Sequence, residues 1–382
     1  MKVELPTKKL HEMLDLANRF ISKNSTLPIL QNVYIKTEKD KLIIRATDME
    51  KHIEMELPIT TQSDGALTVD AKTLFDIVRS IDDPTIILES DAEKDTLNMT
   101  TSKDNFTING IPANEYVALP ELHETHKISL DSKSFSTGIH KVEYAVVEKN
   151  FSPIFTGILV RLKKEKEAKK LIFVGTDSFI LAEYKTEFKG DIEEEHSIII
   201  PKSTSLDLSH IANICANEEE KNTMELETSK NLMKCAFTYD NMKISTTSVL
   251  IQGTFPDYQN EKIMPTTYNT SINIQTQPLD KAIKKIGILT RDIKNFVALS
   301  TDEETLTISS GKTDKGDWAT KLPIAKEWKD TEVFINGRYI NEYIKSINAE
   351  DITIHIIDNV MPVTLINPQE ENYKCIIRPI QK

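Results

Sequence analysis

A chain of 382 residues, 39 % apolar and 28 % charged with only 11 glycines, is long enough to bury two or three separate cores. Lys+Arg 47 against Asp+Glu 59 leave a net charge of −12, which excludes a protein that coats nucleic acid or an anionic membrane over its whole surface, but not one with a local basic face. The three cysteines (Cys215, Cys235, Cys375) share no C-x-x-C spacing, no run of 18 apolar residues occurs, and the charged, helix-periodic N-terminus is unlike a signal peptide. Together these predict a soluble cytoplasmic chain with reduced thiols and no membrane partner.

The first elements set a pattern. Val3-x-Leu5-x-Thr7-x-x-Leu10 reads as a half-buried strand running into a helix that Thr7 caps. After the turn Glu38-Lys39-Asp40, Leu42-x-Ile44-x-Ala46 alternates as a second strand. Leu67-x-Val69-x-x-Lys72 then leads into an amphipathic helix with Val78 and Ile81 inward. The same series returns as Ile128-x-Leu130-x-Ser132-x-x-Phe135, Leu171-x-Phe173-x-Gly175 and Ser197-x-Ile199-x-x-Lys202 with Leu208 and Ile211. It returns again as Ile272-x-Ile274-x-Thr276-x-x-Leu279, Leu306-x-Ile308-x-Ser310 and Val333-x-Ile335-x-x-Arg338 with Ile344 and Ile347. Chance does not place such a series three times in order. The repeat predicts an α+β fold of three domains, 1–123, 124–265 and 266–382, each with two helices packed on antiparallel strands. The run Lys163-Lys164-Glu165-Lys166-Glu167 reads as a solvated hairpin tip.

No catalytic constellation stands out. His123-Glu124-Thr125-His126 is not H-E-x-x-H and falls in a linker, and no Gly-rich phosphate loop or G-x-S-x-G occurs. Thr47-Asp48 and Thr176-Asp177 end equivalent strands in different copies, so turn capping accounts for them better than paired acid–base carboxylates. No metal and no cofactor is expected. The helices offer basic outer faces instead. Lys281, Lys284 and Lys285 lie opposite the stripe Leu279, Ile283, Ile286, and Lys8, Lys9, Arg19, Lys72, Arg79, His140, Lys141, Lys202, Arg338 and Lys345 occupy matching faces elsewhere. Glu12, Asp15, Asp76 and Glu342 intrude on them. Six equivalent helices tending to basic faces in an acidic chain point to positive charge gathered on one surface.

Nearly the whole chain resembles the bacterial DNA polymerase III beta subunits, the sliding clamps. The resemblance rests on Thr26-Leu27-Pro28-Ile29-Leu30, Ala46-Thr47-Asp48-Met49-Glu50, Pro153-Ile154-Phe155-Thr156-Gly157-Ile158-Leu159, Gly175-Thr176-Asp177, Ile200-Pro201-Lys202 and Gly253-Thr254-Phe255-Pro256-Asp257-Tyr258, in that order, together with the threefold repeat. It implies three DNA-clamp domains per chain and a head-to-tail homodimer ring that encircles double-stranded DNA, a non-catalytic processivity factor. On that reading Lys23, Lys72, Lys202, Lys281, Lys284 and Lys285 face DNA and meet phosphate without reading bases.

The resemblance also implies that Phe106 and Ile288-Leu289 pair across the dimer interface. A groove between the second and third domains would receive short linear peptides of the replicative DNA polymerase and the clamp loader. Its positions are Thr176, Ile180, Leu181, Pro256, Ile263, Val360, Pro362, Ile376, Ile377, Arg378, Pro379 and Ile380. Several positions depart from the family's usual pattern. Ser178-Phe179-Ile180 follows Thr-Asp where Gly-His-Arg or Ser-His-Arg is common, Ser152 stands where arginine is usual, Arg378 where methionine is usual, and the tail reads Gln381-Lys382 rather than Arg-Leu. The stretch from Pro256 to Pro265 is about two residues longer than usual. These changes predict an altered peptide preference. Two other readings remain open: a clamp-fold scaffold without ring closure, and a hydrolase using Asp48 or Asp177, for which no nucleophile and base accompany the carboxylates.

Overall fold

The computed structural model describes residues 1–382 except 23–24, 124, 166–167, 189–194, 218–221, 294, 303 and 382. The chain packs as two compact units, one of residues 1–136 and 207–250, the other of 137–206 and 251–382. Among the described residues six α-helices punctuate a strand-rich chain: α1 (Thr7–Ala17), α2 (Ala71–Ser80), α3 (Ser132–Val142), α4 (Lys202–Cys215), α5 (Thr276–Thr290) and α6 (Gly337–Lys345). Every strand pairing among the described residues is antiparallel, in sheets of 13, nine and four strands.

Each repeat begins as the alternation predicts, a strand running without a break into a helix: Lys2–Pro6 into α1, His126–Asp131 into α3, Thr270–Gln275 into α5. The capping expectation fails in an informative way. Thr7, Ser132 and Thr276 are the first helical residues rather than caps, and all three are buried. Their backbone N–H groups donate to the carbonyls of Pro84, Asn222 and Glu350, at 3.0, 2.9 and 2.8 Å. Each carbonyl immediately precedes the strand that pairs with the incoming one, so the neighbouring strand satisfies a donor that a side chain would otherwise satisfy. In α3 a cap does form, one residue earlier: the Asp131 carboxylate accepts from the Ser134 N–H at 2.7 Å.

The inward stripes are partly as read: Val78, Leu208 and Ile211 are buried, whereas Ile81, Ile344 and Ile347 are half-buried. Leu10, Met13 and Leu14 on α1, Leu74 and Val78 on α2, Leu279, Ile283 and Ile286 on α5, and Ile340 and Tyr343 on α6 are fully or almost fully buried. The sheets run across the boundaries that the repeat marks in the sequence. In the first unit the strand Met242–Val249 pairs with Lys51–Pro58, and in the second Tyr373–Ile377 pairs with Ile180–Glu187. Lys51 faces Ser248 and Ile180 faces Ile377, partners 197 positions apart in both cases. The two junctions therefore have the same register.

Candidate partner groove and nucleic-acid interface

Both junctions are shaped by the Thr-Asp pairs, which cap turns as expected. Thr176 Oγ1 donates to the Ile180 carbonyl at 2.7 Å and accepts from the Ser178 N–H, while Asp177 Oδ1 accepts from the N–H groups of Phe179 and Ile180. Thr47 and Asp48 make the same set with Lys51, Met49 and Glu50. The turns force Met49 and Ser178 into the left-handed region, φ 79 and 80°. The two turns lead into different side chains. At the second junction Ile180 and Leu181 enter the strand and pack into the core. At the first, Lys51 and His52 occupy those places, and the Lys51 ammonium is held 2.5 Å from Asp207 and 5.3 Å above the Phe20 ring. One scaffold thus carries an apolar site at one junction and a buried ion pair at the other.

The apolar site is a cavity of about 410 Å³. Thr176, Ile180, Leu181, Pro256, Ile263, Val360, Pro362, Ile376 and Arg378 all line it. A second cavity of about 560 Å³ carries Pro379 and Ile380, and shares Phe179, Val360 and Arg378 with the first. Ile377 lines neither; it is fully buried between Ile180 and Val363 in the sheet. Its strand neighbour Ile376 points to the opposite face and lines the first cavity.

Sequence reasoning missed the aromatic floor. Phe155 and Phe255 meet edge to face with centroids 6.0 Å apart, and Phe255 meets Tyr258 in the same way at 6.1 Å. Tyr258 is buried and its hydroxyl donates to the Glu183 carboxylate at 2.8 Å; burial first, then that carboxylate, drives the phenol pKa up. Gly253 (φ 141°) makes the turn that brings Phe255 inward, and a Cβ there would lie 2.7 Å from Ile154. The signal is present in both loops as aromatics beside prolines, Pro153-Ile154-Phe155 and Phe255-Pro256. At the rim, Phe179 and Val360 are 58 % and 61 % exposed, large apolar side chains left in water beside an apolar cavity.

The basic helix faces are only partly as expected. Lys72, Lys281, Lys284 and Lys285 are exposed, with Lys284 paired to Asp280. Between α5 and α6 a cleft of about 220 Å³ is lined by Lys284, Arg291, Arg338 and Lys345, with Glu342 among them. Lys202 is half-buried, its ammonium 2.5 Å from the Val146 carbonyl, and engages the fold rather than solvent. Lys9 and Lys141, read as outer-face residues, are buried on Asp240 and Glu370 at 2.8 and 2.7 Å; each covers a tyrosine ring, so its stem packs while its charge is paired. Lys23 lies outside the described residues. Of the residues assigned to the dimer interface, Phe106 and Leu289 are half-buried and Ile288 is 69 % exposed. Among the described residues no group of three metal-ligating side chains occurs, and no helix is long and apolar enough to cross a membrane.

Family models of the DNA polymerase III beta subunit match this chain in order: the N-terminal domain over residues 1–120, the central domain over 129–257 and the C-terminal domain over 261–381. The chain belongs to the DNA polymerase III beta subunit family. Among curated relatives, the beta sliding clamp of Synechococcus elongatus is 24 % identical over 389 residues, covering 100 % of this chain and 99 % of that one. The beta sliding clamp of Staphylococcus aureus is 23 % identical over 371 residues, covering 94 % of each. Among solved structures, the DNA polymerase sliding clamp of Bacillus subtilis shares the fold with a TM-score of 0.89 at 22 % identity, covering 100 % of this chain and 99 % of that chain. The DNA polymerase III subunit beta of Pseudomonas aeruginosa does so at 0.90 and 19 % identity, with full coverage of both.

Proposed function

We propose that this protein is a DNA sliding clamp, a non-catalytic processivity factor whose two copies close head to tail around duplex DNA and whose groove tethers the replicative polymerase and the clamp loader through short linear peptides. Its domains are 1–123, 124–265 and 266–382, a division that the three consecutive family segments support. Lys72, Lys281, Lys284 and Lys285 hold the duplex by phosphate contacts alone, with Lys23 and, once released from Val146, Lys202 as further contributors. The exposed, apolar-floored groove takes the partner peptides. The cytoplasm is where such a subunit works, and its buried reduced cysteines suit that compartment.

The observation that carries ring closure is the repeated junction register. Thr246 faces Ile53 at one junction, and Cys375 faces Ala182 at the other. Following the ladders through each repeat, Thr246 and Cys375 correspond to Phe106, because Cys235, Leu365 and Met99 are their respective hairpin partners. Ile53 and Ala182 in turn correspond to Trp318, which exchanges hydrogen bonds with Ser310. The strands that carry the third copy of this junction, Asn105–Ile111 and Ala319–Pro323, each have an edge with no ladder partner along most of its length among the described residues. A second copy of the chain supplies the missing partner: Phe106 of one copy stands opposite Trp318 of the other, an aromatic cross-strand pair that extends the Phe106 and Ile288-Leu289 contact.

A double cysteine variant, Asn105→Cys with Ala319→Cys, tests this, since those positions become neighbours in the same register. The native thiols give a quiet background, because all three are buried and burial raises the Cys375 thiol to about 12. Oxidation with copper phenanthroline is expected to give a covalent dimer in denaturing gels from the double variant and monomer from either single variant. Monomer alone from the oxidised double variant would contradict closure at these edges.

A further inference from the structure

The cleft between α5 and α6 gathers more positive charge than the acids beside it neutralise. Lys284 reaches it from α5, Arg291 from the short turn that follows, and Arg338 and Lys345 from α6. Asp280 holds the Lys284 ammonium at 2.5 Å, and Glu342 lies 3.2 Å from Lys345 and 3.8 Å from Arg338. Arg291 is exposed and makes no ion pair among the described residues; its neighbour Asp292 is paired to Lys315 instead. Four cations against two carboxylates leave a surplus of two positive charges. Asn341 also lines the cleft, and its Oδ1 is buried with no hydrogen-bond partner among the described residues. Gly287 lies inside α5, where glycine weakens a helix, and it keeps the cleft open: no neighbouring atom stands within 4 Å of where its Cβ would be. The first two N–H groups of α6 are already taken, Gly337 by the Asn295 carbonyl at 2.9 Å and Arg338 by the Asn336 side chain at 3.0 Å. The cationic side chains, rather than the helix end, are therefore the donors left to the cleft.

We propose that this cleft binds a phosphate monoester, the terminal phosphate of a nucleotide or of a DNA strand end. A monoester carries about −1.5 to −2 at neutral pH and matches the surplus, whereas each backbone diester carries a single charge. The guanidinium forks of Arg291 and Arg338 suit pairs of its oxygens, and Lys284 and Lys345 add point charges. The Asn341 amide, turned over, donates an N–H where its oxygen now stands without a partner. A volume of about 220 Å³ is several times the roughly 30 Å³ of one water in the liquid, which leaves room for the phosphate and its ester oxygen. The site goes beyond the duplex contacts proposed above, which need single charges and no cleft.

The test uses the full-length protein at low salt with two probes. Adenosine 5′-monophosphate is followed by phosphorus NMR, and a short labelled duplex carrying either a 5′-phosphate or a 5′-hydroxyl is followed by anisotropy. A shift of the nucleotide's phosphorus resonance supports the site and assigns it to free nucleotides. About tenfold tighter binding of the 5′-phosphate duplex than of the 5′-hydroxyl duplex supports it and assigns it to strand ends. Gly287→Leu fills the cleft without removing a charge, and Arg291→Gln removes the guanidinium that has no acid; each is expected to erase these signals while the thermal melt stays unchanged. No phosphorus shift, together with equal binding or no binding of the two duplexes, overturns the site and leaves the proposed ring standing. Signals that survive both variants overturn it as well, since the phosphate is then held elsewhere.

Discussion

The backbone N–H of Arg378 donates to the carbonyl of Phe179 at 2.8 Å, closing the sheet at the edge of the groove; at the first junction Val249 makes the same bond to Glu50 at 2.9 Å. Two places built on one plan thus carry different side chains, and the one with Ile180 and Leu181 in place of Lys51 and His52 borders the apolar cavity. Backbone geometry sets where a groove can form, and the residues after the Thr-Asp turn decide whether it does.

Placing a charge on the exposed rim should abolish peptide binding without unfolding the chain. Val360 stands in water, so Val360→Asp costs the fold little, yet it lowers the affinity for an apolar-anchored peptide at least tenfold by leaving a carboxylate against the covered anchor. Anisotropy titration beside a thermal melt checks both halves; a lost melt transition or unchanged affinity contradicts the assignment.

The ion pair at the first junction should be costly to break from one side. Lys51 and Asp207 have side chains only 10 % and 12 % exposed, and Arg19 adds a contact to Asp207 at 3.8 Å. Lys51→Ala leaves the Asp207 carboxylate with only the longer Arg19 contact and is expected to lower unfolding stability by about 3 kcal/mol, while Lys51→Met with Asp207→Leu recovers most of it. Denaturant titration of the three proteins measures this, and a harmless Lys51→Ala would refute it.

His52 gives the stability a pH dependence. Burial lowers its pKa despite the nearby Asp48 charge, and its Nδ1 has no hydrogen-bond partner. The native state therefore binds fewer protons than the unfolded chain, so stability rises with pH and is lost as pH falls below the ordinary histidine value of 6.5. His52→Gln should show a shallower decline between pH 7 and pH 5 in denaturant midpoints, and parallel curves for the two proteins would contradict the prediction.

How much of this is legible in the sequence depends on the residue. The threefold repeat and the turns at Thr47-Asp48 and Thr176-Asp177 can be read because alternation and turn chemistry are local, whereas the groove wall is legible only through the family resemblance. The cap roles expected of Thr7, Ser132 and Thr276 fail because the competing acceptors, the carbonyls of Pro84, Asn222 and Glu350, lie at least 74 positions away along the chain. Lys9 and Lys141 read as surface charges because Asp240 and Glu370, which bury them, lie 231 and 229 positions away. The aromatic floor needs the packing of two loops, which no single window contains. Trp318 carries no local signal, and only the strand ladders show which residues it corresponds to.

DNA association should separate the exposed lysines from the engaged one. Replacing Lys281, Lys284 and Lys285 together with alanine is expected to flatten the salt dependence of duplex binding, by about 1 in log–log slope for each phosphate no longer neutralised. Lys202→Ala should change the slope far less, since its ammonium already serves Val146. Binding isotherms across a salt series decide the matter, and equal effects of the two variants would contradict it.

The proposed hold on DNA is topological: the protein stays on because it surrounds the duplex. The direct measurement loads it with its clamp loader onto nicked circular DNA, isolates the complex in high salt that removes electrostatic binding, and then linearises the circle. Retention on circles with loss on cutting is the predicted result. Equal retention on circular and linear DNA, or none on either while a known clamp loads in parallel, would contradict it.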